Sequence, residues 1–458
     1  MKKVHTVKKG GEMNVTGIIM ECNPFHEGHA YLLQEARRQT DADYIVVAMS
    51  GDFVQRGEPA VFDKYVRAEQ ILRAGADLVL ELPLYAACGS AEYFALGGLS
   101  LLEKLGVVTS LCFGSESADT GHLIRCAQIL SLLENDQDND DRADNIKKDI
   151  SPVFDRSDPA VSAAAYRETL QRGLKAGLPF PAARAAAIPS YPSAPNDLLA
   201  VEYCRALLGL NSGISPLALA RIEVPSASER RKKLLCERMS GSRHPADPCA
   251  CSPSPDGFTP GHEVFSLGPD VFPLGPDDFS GELLYALRMQ ADQLEEFADV
   301  SPDLADRIRN LLPRYRSFSQ FCDLVKTRNL TRTRVSRCLT HILLQMKQSR
   351  LDALRSKDMA LYARPLALNR SAAPLFSSIR RNASIPFLPK LSEAAALLPP
   401  GDFRYLQEEI RAEDLYILTL AGVMHAARYQ SAWDAPAGGS SPSPVPSALS
   451  RRIFVLDR

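Results

Sequence analysis

The chain has 458 residues, 53 Lys and Arg against 55 Asp and Glu, and a formal net charge of −2, with 45% hydrophobic and 24% charged residues. This composition excludes a chain too polar to bury a core, and the length accommodates roughly three domains of ~150 residues. It also lacks the basic excess of a general nucleic-acid binder, and no run reaches the roughly 20 apolar residues that span a bilayer.

Residues 1–14 (MKKVHTVKKGGEMN) carry lysines with no apolar segment behind them, and read as an N-terminal extension rather than a signal peptide. Short apolar runs at 15–20, 44–49, 78–80 and 110–113 predict strands, separated by helical periodicity at 28–39, 63–74 and 90–105. Buried strands alternating with helices predict an α/β fold, a Rossmann-like parallel sheet whose ligand lies at the carboxyl ends of the strands. Residues 134–150 form an acid-rich solvated insertion, and 151–222 return to helix, ending in the apolar run 217–222. The sheet domain is thus assigned to 15–239. A Pro/Gly/Ser-rich linker follows at 240–280, then a mostly α-helical domain with basic clusters at 281–430, and a low-complexity tail at 431–458, of which 435–450 reads as disordered.

Ten cysteines lie mostly inside apolar stretches, the usage of small core residues in a reducing compartment, so a cytoplasmic location is expected. His244, Cys249, Cys251 and His262 have the side chains of a zinc group, but Cys-x-Cys without a second cysteine pair fits structural zinc spacing poorly. No metal-ligating residues are assigned.

The segment Asn23-Pro24-Phe25-His26-Glu27-Gly28-His29 joins the first strand to the first helix. Free backbone N–H groups at a helix start, with the dipole behind them, favour an anion. Gly28 removes a side chain where a phosphate would approach, and His26 and His29, three apart, can face one ligand. Two imidazole donors plus backbone amides suit charge developing on a nucleotide's phosphates, so His26 and His29 are the expected catalytic pair. The bland alternative is a cap and a surface residue; a zinc pair more commonly uses i, i+4 spacing.

The H-x-G-H element resembles the nucleotidyltransferase superfamily, and the chain resembles more closely the bacterial tRNA(Met) cytidine acetate ligases. The resembling segments include GIIMECNPFHEGHAYL (17–32), MSGDFVQRGEPAVFDKY (49–65), DLVLELPLYAACGSAEYFA (77–95), CFGSE (112–116), APNDLLAVEYCRAL (194–207) and LVKTRNLTRTRVSRCLTHILL (324–344). The resemblance implies ATP-dependent activation of acetate as acetyl-adenylate. The acetyl group then passes to N4 of the wobble cytidine of elongator tRNA(Met), giving N4-acetylcytidine. It implies an ATP-binding stretch of Ile19, Met20, Glu21, Cys22, Asn23, Pro24, Phe25, His26, Glu27, Gly28, His29, Ala30, Tyr31 and Leu32, joined by Gly114, Asn196 and Arg221. Mg²⁺ is expected with ATP; no protein partner and no membrane contact are expected.

Two departures from the family pattern follow Arg221. The Gly-Ala-x-Tyr-His-Asp stretch is replaced by Ile222-Glu223-Val224-Pro225, and the triphosphate-gripping helix start is matched only by Ser226, Ser228 and Arg231, where serines are also ordinary caps. In the QRGEP loop, Arg56 is a candidate phosphate or RNA contact, although a Gly-Glu-Pro turn alone would explain the loop.

For RNA, Lys326, Arg328, Arg332, Arg334 and Arg337 form a basic run, with Val335, Leu339, Ile342 and Met346 on the buried face of the following helix. Arg334, Arg337 and His341 are expected to share a basic stripe, and Arg380 and Arg381 add a second cluster. A solvated helix face is the plain alternative. Phe376, Phe387 and Tyr362 are available for base stacking. Two other functions remain open: a small-molecule adenylyltransferase, and a non-catalytic RNA-binding relative.

Overall fold

The first strand is apolar on both sides because helices cover both faces of the sheet it enters. In the computed structural model, residues 13–134, 163–178, 180–188, 190–239, 271–432, 451 and 453–456 are described. The strands are β1 (Val15–Met20), β2 (Tyr44–Ser50), β3 (Phe53–Val54), β4 (Glu58–Pro59), β5 (Leu78–Leu82), β6 (Ser110–Ser115), β7 (Ser215–Ala220), β8 (Pro365–Asn369) and β9 (Phe454–Leu456). Seven of them form one sheet in the order β7-β6-β1-β2-β5-β8-β9, while β3 and β4 make a separate hairpin. From β7 to β5 every pairing is parallel, with Ile18 opposite Val47 and Cys112 and with Gly114 opposite Leu219. Parallel strands need crossover connections, which the intervening helices supply.

In the first half of the chain the helices are α1 (Glu27–Thr40), α2 (Lys64–Arg73), α3 (Leu84–Ala87), α4 (Ala91–Lys104), α5 (Thr120–Glu134), α6 (Ala163–Lys175), α7 (Phe180–Ala187), α8 (Pro195–Gly209) and α9 (Ala227–Met239). On one sheet face Leu33, Ala36, Ile71 and Leu72 of α1 and α2 pack against Ile18, Met20, Ile45 and Val47. On the other, Leu99, Leu102, Leu130 and Val201 of α4, α5 and α8 meet Val15, Ile19, Val46 and Leu111. The sheet is therefore the middle of three layers.

The later helices are α10 (Ser280–Met289), α11 (Pro302–Leu311), α12 (Phe318–Val325), α13 (Arg332–Leu343), α14 (Gln348–Arg355), α15 (Ala373–Asn382), α16 (Ala394–Leu397) and α17 (Pro400–Ala432). Their apolar faces join the same core as α4, with Val335, Leu339, Ile342 and Met346 all buried as their spacing requires.

Two elements depart from the sequence reading. The region expected to be helical contributes β8, antiparallel to β5, and the end of the low-complexity tail contributes β9, parallel to β8; residues 435–450, expected to be disordered, lie outside the described residues. Arg451 anchors that tail by pairing with Asp63, the N-cap of α2, and its guanidinium stacks 4.6 Å from the Tyr65 ring centre. The acid-rich insertion beyond Glu134, the cluster His244, Cys249, Cys251 and His262, and linker residues 240–270 lie outside the described residues, as does nearly all of the N-terminal extension. Of the eight cysteines described, seven are buried and Cys236 is exposed; all are free thiols.

Candidate active site

At the carboxyl end of β1 the chain turns through Cys22, whose φ is +50°, and enters α1 with His26 as its N-cap. The His26 Nδ1 accepts the N–H of Gly28 at 3.1 Å, and the His29 Nδ1 accepts the N–H of His26 at 3.2 Å. The two imidazoles take the places that a serine and a glutamate occupy in a capping box. Their ring centres lie 3.9 Å apart, and Phe25 stacks on His29 at 5.6 Å. Gly28 is required by this arrangement: a Cβ there would come within 2.9 Å of the His26 ring.

Burial, then the neighbouring imidazole and Arg230, hold His26 well below the ordinary histidine range. Burial, then Arg221 and Arg230, bring His29 down to about 3. Both rings are therefore neutral at pH 7. With each Nδ1 accepting a backbone N–H, each neutral ring carries its proton on Nε2. The turn thus offers two imidazole N–H donors beside the amides of a helix start, an arrangement suited to an anionic oxygen.

A second group closes the strand end at β6. Glu116 accepts from Arg221 at 3.0 Å and from the Asn196 amide at 2.6 Å, and the backbone N–H of Asp197 donates to its other oxygen at 3.0 Å. Asp197 in turn accepts from the hydroxyl of Ser115 at 2.5 Å and from the Glu116 N–H at 3.0 Å. Gly114 admits this cluster, since a Cβ there would stand 3.2 Å from Arg221 Cγ. The structure thus brings Gly114, Asn196 and Arg221 together, and Arg221 acts electrostatically on both histidines. Sequence reasoning named these three but missed Glu116, which joins them; its place just beyond β6 was the available signal.

A third side is built by α9. Ser226 makes a capping box with Glu229, its hydroxyl accepting from the Glu229 N–H at 3.2 Å while its own N–H donates to the Glu229 carboxylate at 2.8 Å. The capping interpretation therefore holds for Ser226. Ser228 differs: its hydroxyl accepts from Arg56 and from Arg231, both at 3.1 Å. Arg231 also donates to the Asn23 carbonyl at 2.6 Å, and Arg230 pairs with Glu27 at 2.6 Å. Arg230 was not among the expected residues. Despite the shortened stretch after Arg221, two arginines of α9 still reach the first turn.

Within the 19–32 stretch the side chains divide. Ile19, Met20, Cys22 and Ala30 are core residues, and Asn23 Oδ1 accepts the Val61 N–H at 2.8 Å. Tyr31 and Leu32 are half-buried, and Leu32 packs on the core behind α1. Glu21 is partly buried, and the desolvation raises its carboxyl above 4.5 against the opposing pull of Arg231 and Arg56.

On the basic segment Lys326, Arg328 and Arg334 are exposed, while Arg332 and Arg337 are half-buried. Asp323 partly neutralises the run, pairing with Lys326 at 3.1 Å and lying 3.6 Å from Arg332, which also reaches Glu58 at 3.2 Å. His341 does not share the stripe. It is buried, its Nδ1 2.8 Å from the Ala298 carbonyl and its Nε2 3.0 Å from the Cys88 carbonyl. The stacking candidates are also occupied: Tyr362 is buried, and Phe376 and Phe387 pack on each other at 6.4 Å. Among the described residues no group of three or more His, Cys, Asp or Glu is arranged to hold a metal ion. No helix of the described residues is long and apolar enough to cross a membrane.

The chain matches the family model described as HIGH Nucleotidyl Transferase over residues 13–158 and 147–431. It is 35% identical over 428 residues to a protein of Acetivibrio thermocellus named tRNA(Met) cytidine acetate ligase, covering 89% of this chain and 95% of that one. A Clostridium perfringens protein of the same name is 31% identical over 433 residues, covering 88% and 95%. Among solved structures, Thermotoga maritima TmcAL in its apo form superposes with a TM-score of 0.76 at 26% identity, covering 97% of this chain and all of that one. The same protein bound with alpha-thio ATP gives a TM-score of 0.73 at 28% identity, covering 89% and 95%.

Proposed function

The chain belongs to the tRNA(Met) cytidine acetate ligase family of HIGH nucleotidyl transferases, and we propose from that membership that it uses ATP to acetylate the cytidine of tRNA(Met). The observation that carries the reading is the pair of neutral, Nε2-protonated imidazoles at the first strand–helix turn, with ring centres 3.9 Å apart. ATP would lie across the carboxyl ends of β1 and β6, its phosphates on the α1 N-terminus and the arginines of α9.

In the first half-reaction an acetate oxygen attacks the α-phosphorus, forming acetyl-adenylate while the P–O bond to pyrophosphate breaks. His26 and His29 donate hydrogen bonds to the phosphoryl oxygens that gain charge, and Arg221 and Arg231 neutralise the rest; positioning and charge stabilisation suffice without a covalent nucleophile. Mg²⁺ commonly binds through substrate phosphates while keeping several waters, so the triphosphate itself would supply most of its ligands. In the second half-reaction the amine N4 of the wobble cytidine of the elongator tRNA takes the acetyl group and AMP leaves. Lys326, Arg328, Arg332, Arg334 and Arg337 would hold the RNA backbone, positioning it without reading sequence.

The test supplies purified protein with ATP, labelled acetate and elongator tRNA(Met). Pyrophosphate release that depends on acetate, with label in the tRNA, is expected. ATP consumption indifferent to acetate would instead indicate an adenylyltransferase acting on another substrate.

A further inference from the structure

The arginines around the cleft are held in two ways. Arg221 pairs with Glu116, Arg230 with Glu27 and Arg332 with Glu58, so each of these already faces a carboxylate. Arg56 and Arg231 are fixed by neutral oxygens instead. Arg56 Nη1 and Arg231 Nη2 both donate to the Ser228 hydroxyl at 3.1 Å, and Arg231 Nη1 donates to the Asn23 carbonyl at 2.6 Å. Two guanidiniums thus converge on one hydroxyl oxygen, which offsets neither charge. Such planar forks match the oxygens of a phosphate, and a charged acceptor binds them more strongly than a hydroxyl does.

The segments beneath them fix this placement. Arg56 sits in the turn of the β3–β4 hairpin, where Val54 faces Glu58 and the Gly57 N–H returns to the Val54 carbonyl at 2.8 Å. Just beyond the hairpin the Val61 N–H donates to Asn23 Oδ1 at 2.8 Å, and Val61 and Phe62 pack against Leu234 of α9. The hairpin, α9 and the turn that carries His26 and His29 therefore meet at Asn23.

We propose that Arg56 completes, with Arg231, a clamp for the β- and γ-phosphates of ATP, the pyrophosphate that leaves in the first half-reaction. The imidazoles serve the α-phosphoryl oxygens, and Arg231 touches the same turn at Asn23, upstream of His26, beside the place of the next phosphates in line. As the acetate oxygen bonds to the α-phosphorus, the bond from that phosphorus to the bridging oxygen breaks and its electron pair passes to pyrophosphate. The two guanidiniums take up that charge, and donors fixed before the reaction cost no reorganisation during it. An RNA phosphate has the same chemistry, but the anchorage of Arg231 at the histidine turn favours the nucleotide.

This rests on the ATP-binding reading above, and calorimetric titrations of the full-length protein with ATP, inorganic pyrophosphate and AMP separate the two claims. For Arg56→Ala the affinities for ATP and pyrophosphate fall by about 10-fold or more, the size of one charge-assisted hydrogen bond. The affinity for AMP, which lacks the clamped phosphates, stays at the wild-type value and shows that the fold is intact. Arg56→Lys, which keeps the charge without the fork, recovers part of the loss. An equal loss for AMP would overturn the clamp and make Arg56 a scaffold residue. Unchanged ATP and pyrophosphate affinities would overturn it too, and a tRNA salt slope shallower by about 1 in the same variant would then assign Arg56 to an RNA phosphate. Wild-type protein that binds none of the three ligands would overturn the ATP-binding reading itself, and the clamp with it.

Discussion

Lys64 and Glu413 are 349 residues apart in sequence, yet the Lys64 Nζ donates to the Glu413 carboxylate at 2.8 Å in the protein interior. Glu81 accepts from the same ammonium at 2.6 Å, and Arg364 reaches Glu413 at 2.7 Å. This buried network joins α2 and β5 of the sheet to α17. Burial by itself would raise the Glu413 carboxyl, but Lys64 and Arg364 outweigh it and bring it down to about 2.

Removing the cation should therefore destabilise the whole chain. Lys64→Met leaves Asp52, Glu81 and Glu413 with Arg364 as the cation that pairs with Glu81 and Glu413, and the loss expected for one broken buried pair is about 3–5 kcal/mol. Denaturant unfolding measures it. Lys64→Met combined with Glu413→Gln should recover part of the loss, because contacting groups are not additive. Two fully additive losses would show that the pair is not coupled.

Gly57 ties the QRGEP loop to the basic helix. Its φ is +68°, and a Cβ there would come within 2.3 Å of the Arg337 backbone nitrogen. The Gly57 carbonyl accepts the hydroxyls of Ser336 at 2.6 Å and Thr340 at 2.8 Å. Gly57→Ala should cost more than ~1 kcal/mol from backbone strain alone and should raise KM for tRNA more than KM for ATP. Equal stability and unchanged tRNA kinetics would rule out this docking as a functional contact.

The depressed histidines make stability depend on acid. His29 titrates at about 3 in the folded state and near 6.5 when solvated, so between those values the unfolded chain binds more protons. Its contribution is complete above pH 6.5 and is lost as pH falls toward 3. Stability of the wild type should rise with pH across that window more steeply than that of His29→Gln. Parallel stability profiles would show that the ring is not held neutral.

If RNA follows the basic run, Arg334→Ala should weaken tRNA binding similarly for different sequences and reduce the salt slope by about 1. The same change at Arg332 should do less, since that side chain is already paired with Glu58. Binding titrations at several salt concentrations decide this; identical slopes for Arg334→Ala and wild type would remove it from the RNA path.

The sequence by itself determined the strands of the parallel core, the helices between them and the His26–His29 turn. Strands buried on both faces must be continuous apolar runs, and a pair three residues apart at a helix start is set by local geometry. It also determined which face of α13 is buried, because Val335, Leu339 and Ile342 repeat at helical spacing. Tertiary structure alone decided what covers the other faces. His341 falls beside Arg334 and Arg337 by periodicity, yet Ala298 and Cys88 enclose it. The short runs of β8 and β9 sit beside helical and low-complexity sequence, and it is the sheet edge that makes them strands: β8 adds to the edge of β5, and β9 to the edge of β8. The joining of Glu116 to Asn196 and Arg221, across 80 and 105 residues, is likewise a product of sheet order, since pairing β6 between β1 and β7 is what brings those loop ends to the histidines.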